Sequence, residues 1–99
     1  MSDPTKLRGR RILIIESDAG PLVAQLQEAI ERAGAESLVA RNVWTALERS
    51  SGFSFDAALV NIEHRGVVDR LALPFLLYAI ERSTVDGIVG RLERLLSQS

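Results

Sequence analysis

The 99-residue chain contains no cysteine. Disulfides, thiolate nucleophiles and cysteine–zinc sites are therefore excluded, and the composition fits a reducing compartment. It also lacks a long apolar run. The first one, Ile12 to Ile15, is too short for a signal-peptide core or a membrane span, and the residues before it are polar and basic (Lys6, Arg8, Arg10, Arg11). With no targeting signal, the expected location is cytoplasmic. No charge of one sign dominates: the formal net charge is −1, which points to neither nucleic acid nor a membrane as partner. Repeats, low-complexity tracts and linkers are missing too. What remains is 46% hydrophobic and 25% charged, the composition of one soluble domain with a modest core.

Pattern supplies the rest. Residues 1–10, with Pro4 and Gly9, are expected to form a flexible basic tail before a domain over 11–99. Ile12-Leu13-Ile14-Ile15 predicts a buried strand. Pro21 suits the first turn of a helix that Ser17 or Asp18 can cap, and Gly34 is its expected stop. Its apolar face is Leu22, Val23, Leu26, Ala29, Ile30 and Ala33. Ser37–Ala40 reads as a second strand. Asn42 can cap a second helix with Val43, Trp44 and Leu47 turned inward. Ala57–Val60 with Ile62 reads as a third strand. Alternating strands and helices argue for a parallel sheet with helices on its faces.

Beyond Gly66, Val67, Val68, Leu71 and Ala72 suggest a short helix. Pro74–Ala79 favours a strand, with a helix kinked at Pro74 as its competitor. Ser83 or Thr84 caps a last helix carrying Val85, Ile88, Val89, Leu92, Leu95 and Leu96. Gly87 and Gly90 weaken it by roughly 1 kcal/mol each relative to alanine, so docking must hold it.

Ile12-Leu13-Ile14-Ile15-Glu16-Ser17-Asp18 resembles the first strand and acidic turn of response-regulator receiver domains. Asp56-Ala57-Ala58-Leu59-Val60-Asn61-Ile62-Glu63-His64-Arg65-Gly66 resembles their third strand and phosphoacceptor loop. The resemblance covers about residues 10–66. It implies an α/β, flavodoxin-like three-layer sandwich, here with four parallel strands in the order 2-1-3-4. That family forms an acyl phosphate on a third-strand aspartate, aided by Mg²⁺, a lysine and a switch hydroxyl.

This sequence departs from that pattern at each point. Asn61 stands at the phosphoacceptor position, and an amide oxygen is a poor nucleophile. The acidic pocket reduces to Glu16, Ser17 and Asp18. The switch-hydroxyl position falls at Ala79. No lysine follows Lys6, and about one strand and one helix are missing. The resemblance thus implies a pseudo-receiver that works in two-component signalling through a protein partner, itself most of all. A homodimer is expected through Phe75, Leu77, Ile88, Leu92 and Leu95, because a missing fifth strand bares an apolar edge.

The alternative is a regulator that responds to phosphorylation or metal through a displaced acid such as Glu63 or Asp18. No cofactor is expected, though Glu16, Asp18 and Glu63 are weak candidates for Mg²⁺. Enzyme activity is not expected. His64 is the only histidine and is placed on an exposed loop without a partner acid or base. No serine lies in a Gly-x-Ser-x-Gly elbow, and Gly87-Ile88-Val89-Gly90 is not a phosphate loop because no lysine follows it. Trp44 is expected in the core.

Overall fold

The computed structural model describes residues 7–17, 20–52, 54–71, 73–79 and 82–97, and their side chains except at 43, 49–51, 67 and 68. Asp18, Val43, Val67, Val68, Ala72 and residues 1–6 of the expected tail therefore lie outside what is described, wholly or in their side chains.

The four strands are β1 (Arg11–Ile15), β2 (Glu36–Ala40), β3 (Ala57–Asn61) and β4 (Phe75–Tyr78). All neighbouring pairs are parallel, and the order is β2-β1-β3-β4, as expected. The helices are α1 (Pro21–Arg32), α2 (Val43–Gly52) and α3 (Val85–Ser97), with a 3₁₀ segment, η1 (Ile62–Arg70), between β3 and β4. The segment after Pro74 is thus a strand, and the Pro74 carbonyl accepts a ladder bond from the Ala58 N–H at 2.9 Å.

Strand residues alternate between two cores. Ile12, Ile14, Ala57, Leu59 and Tyr78 pack with Leu26 and Ile30 of α1 and with Ile88, Leu92 and Leu96 of α3. Leu13, Ile15, Ala58 and Val60 pack on the opposite face with Ala46 of α2 and Leu71. Both faces of β1 and β3 are covered, which is why these strands read as unbroken apolar runs.

Local signals set the helix ends. Gly34, at φ +91°, closes α1 through bonds from its own N–H to the Glu31 carbonyl and from the Ala35 N–H to the Ile30 carbonyl. That is a Schellman ending, and an added Cβ there would also meet Arg8 at 3.3 Å. The Asn42 side chain caps α2 by accepting the Thr45 N–H at 2.8 Å, and Thr84 caps α3 by accepting the Gly87 N–H at 3.1 Å. α1 takes Pro21 in its first turn, but its N-cap is Gly20 with no side-chain cap, so Ser17 does not serve there.

Three expectations are corrected. Residues 7–10 are not loose: Leu7 is fully buried in the α1/α3 core, and Gly9 and Arg10 are bonded to Gly34 and Glu36. Trp44 is 78% exposed, because the inner face of α2 meets small Ala46 rather than an indole. His64 is half-buried inside η1, at a kink with φ −107° and ψ 20°, rather than on an open loop.

Gly90 provides a direct check on the helix argument. A Cβ added there meets nothing within 4 Å, whereas one added at Gly87 comes to 3.0 Å from the capping Thr84 Oγ1. Gly90→Ala is therefore expected to stabilise the protein by about 0.5–1 kcal/mol in urea unfolding, and Gly87→Ala by clearly less.

Candidate functional site

Three polar side chains stand in one row across the carboxyl ends of adjacent strands. Ile15 pairs with Val60 and Asn61 pairs with Tyr78, so Glu16, one residue past β1, falls level with Asn61. The two-residue alternation turns all three toward the α1/α3 side.

Each is buried: Glu16 is 1% exposed, and Asn61 and Tyr78 are nearly as enclosed. The Asn61 amide donates to both carboxylate oxygens of Glu16, at 2.8 and 3.1 Å. The Tyr78 hydroxyl donates to Oε1 of the same carboxylate at 2.7 Å. The other end of Asn61 is occupied as well, since its Oδ1 accepts the Glu63 N–H at 2.9 Å. The Glu16 backbone N–H bonds to the Ala40 carbonyl at 2.9 Å, which fixes the turn after β1.

A buried carboxylate is tolerated only when donors surround it. Here the Asn61 amide and the Tyr78 hydroxyl both supply such donors. Burial, the hydrogen bond to Glu16 and the Glu16 charge, in that order, push the Tyr78 phenol far above its ordinary pKa. The tyrosine thus stays a donor at any physiological pH.

The other predicted site residues scatter. Ser17 is exposed and Glu63 contributes only its backbone, its side chain facing solvent. Ala79 follows β4 directly, half-buried. The site does contain a fourth-strand hydroxyl, one residue earlier at Tyr78. Among the described residues, no group of three His, Asp or Glu side chains is placed to hold a metal ion. Of the expected interaction residues, Ile88 and Leu92 are corrected: both are fully buried beneath the sheet as core. Leu95 packs partly against that core and Leu77 against the opposite one, while Phe75 is 40% exposed.

Sequence reasoning missed Tyr78. The signal was parity: if Asn61 ends one strand, an in-register Tyr78 on the next faces the same side.

No family model matches the chain, and no curated protein does. Among solved structures, it is similar to a fusion of a yeast Spc42 trimeric coiled-coil segment to another structure. The identity is 16% and the TM-score 0.73, over 90% of this chain and 78% of that one. At that identity the likeness is one of fold alone. Among the described residues, no helix is long and apolar enough to cross a membrane.

Proposed function

We propose that this chain is a receiver-like cytoplasmic signalling module that cannot be phosphorylated and acts through protein–protein contact, first of all with itself. The observation that carries the reading is the bond from the Asn61 amide to both Glu16 oxygens. Acyl-phosphate formation requires a free carboxylate on the third strand and a carboxylate able to accept Mg²⁺ beside it. At this position the third strand presents an amide, and the neighbouring carboxylate is enclosed by Asn61 and Tyr78. The pocket is filled by its own side chains, so it supports a fixed shape rather than a switch.

The contact surface proposed is the outer edge of β4. Among the described residues no strand pairs with the outer edge of β4, and an open strand edge is a template for pairing. Phe75 lies exposed on it, and beside it Leu76 and Leu95 line a shallow cavity of about 370 Å³ flanked by Arg91 and Arg94. Two-fold pairing brings like charges from both copies to one seam, so self-association strengthens with added salt.

The test has two parts. After incubation with acetyl phosphate, intact-mass measurement is expected to show no phosphorylated product; a stable adduct on Glu63 or Asp18 would instead establish the displaced-acid alternative. Light scattering at high micromolar concentration is expected to report a dimer that Phe75→Glu converts to monomer. A wild-type monomer across the salt range removes the self-association half of the proposal.

A further inference from the structure

The two helices on one face of the sheet, α1 and α3, do not close completely against each other. Small side chains line both walls, Ala29 and Ala33 on α1 and Gly90 on α3, and a cavity of about 360 Å³ opens between them. Val89 completes its apolar lining. Its polar lining is Arg32, Asp86 and Glu93.

Glu93 is the group in this lining best placed to receive a ligand. It is only 8% exposed, and among the described residues it makes no hydrogen bond or ion pair. The one cation in the lining is already committed: Arg32 bonds Glu28 of its own helix at 2.6 Å, four residues away. Asp86 lies seven residues before Glu93, two helical turns along the same face, and is exposed. The groove therefore has one deep carboxylate, a second at its rim, and an arginine neutralised by a third.

A carboxylate on a largely enclosed residue, with its oxygens still open to the groove, selects its ligand by charge. Anions are excluded. A hard divalent ion is poorly served, because it wants six or more oxygens and two acids about 10 Å apart along a helix do not converge on one. An organic cation with an apolar stem fits both halves of the lining: its methylenes lie along Ala29, Ala33 and Val89 while its head reaches Glu93. The volume is at the small end of ligand cavities, which run from about 300 Å³ upward, so one long side chain enters it with room to spare. Guanidinium matches a carboxylate with two parallel hydrogen bonds, which an ammonium does not.

We infer that the α1/α3 groove is a docking site for an arginine side chain of a protein partner, with Glu93 as its inner acceptor and Asp86 at its mouth. This site lies on the helical face and does not depend on the β4 edge, nor on whether Asn61 abolishes phosphorylation.

The test is an NMR titration of the ¹⁵N-labelled full chain with an uncharged-ended tripeptide, Gly-Arg-Gly. The same peptide with norleucine in place of arginine, and guanidinium chloride alone, are the controls. The arginine peptide is expected to shift the amides of Ala29, Ala33, Val89 and Gly90 with a Kd of about 1 mM or tighter. Glu93→Gln, which keeps the side-chain shape, is expected to weaken binding at least about tenfold. Gly90→Leu, which grows into open space, is expected to abolish it while leaving the fold intact by circular dichroism. Absence of shifts at these four amides overturns the inference, as does equal binding of the norleucine peptide. Undiminished binding by Glu93→Gln overturns the role of that residue, and equal affinity for guanidinium alone overturns the assignment to a partner's side chain.

Discussion

Asn61→Asp is expected to cost about 3–5 kcal/mol of stability at neutral pH, although it replaces one amide group by an oxygen. The substitution restores the residue that a phosphoacceptor position would require. It also turns a donor into a second buried carboxylate, with the Glu16 oxygens 2.8 and 3.1 Å from the atom replaced. Two carboxylates at that distance cannot both ionise away from water, so the folded pair holds one proton with its apparent pKa raised. The unfolded chain releases that proton near the ordinary carboxylate values of about 4. The folded variant consequently binds the extra proton between those values. Its stability is preserved below about pH 4 and lost as pH rises through the raised value of the pair. Urea unfolding at acidic and neutral pH is expected to show the gap from wild type widening with pH. A domain of this size has about 5–15 kcal/mol in total, so partial unfolding of the variant at neutral pH is within reach. Millimolar Mg²⁺ is expected to recover part of the loss in the variant, where two carboxylates face each other, and to leave the wild type unchanged. A variant as stable as wild type at neutral pH would mean that Asn61 is not the donor holding Glu16.

This asymmetry explains why a one-atom reading of the site is insufficient. From sequence, Asn61 appears as a loss, an aspartate that is no longer there. In the fold it is a gain: its amide donates to both Glu16 oxygens, and its carbonyl oxygen anchors the turn into η1 through the Glu63 N–H. Ser17 fits the same logic. At the second acidic position it is an exposed residue outside the cluster.

Strand order, helix faces and two of three helix caps were legible because each depends on short-range pattern: alternation, 3.6-residue spacing, and Asn42 or Thr84 placed just before an apolar run. The misplaced residues depend on what lies opposite them. Trp44 has helical spacing with Leu47, but the sheet meets α2 at Ala46, and an indole has no room there. Leu7 sits in a polar stretch, yet the Schellman ending of α1 brings Gly34 against Arg8 and Gly9 and draws Leu7 into the core. Ile88 and Leu92, expected at a dimer surface, belong to the core instead. Four strands suffice, because Leu7 and α1 extend the same core beside it. Tyr78 required the register between β3 and β4, which no local pattern sets.

Tyr78→Phe is expected to lower stability by about 1.5–3 kcal/mol at neutral pH, the range for a hydrogen bond to a charged acceptor. The ring and its packing against the α1/α3 core are kept, so the loss isolates the hydroxyl that reaches Glu16 at 2.7 Å. The pH dependence then separates a donor from a spectator. The folded phenol is held far above its ordinary value, first by burial, then by its bond to Glu16 and the charge there. The unfolded phenol ionises near pH 10. A group whose folded pKa is raised contributes stability that is complete below the unfolded value and lost as pH climbs above it. Wild type is therefore expected to weaken above about pH 10 by up to about 1.4 kcal/mol per pH unit, and Tyr78→Phe to lose that slope. Few other groups obscure the effect: Lys6 is the sole lysine, and arginines stay charged throughout. Tyr78 is also the only tyrosine, so tyrosinate absorbance reports this one hydroxyl. Its appearance is expected to coincide with loss of the helical circular-dichroism signal. Ionisation with the fold intact would show instead that the hydroxyl is open to solvent and that its bond to Glu16 does not hold the fold.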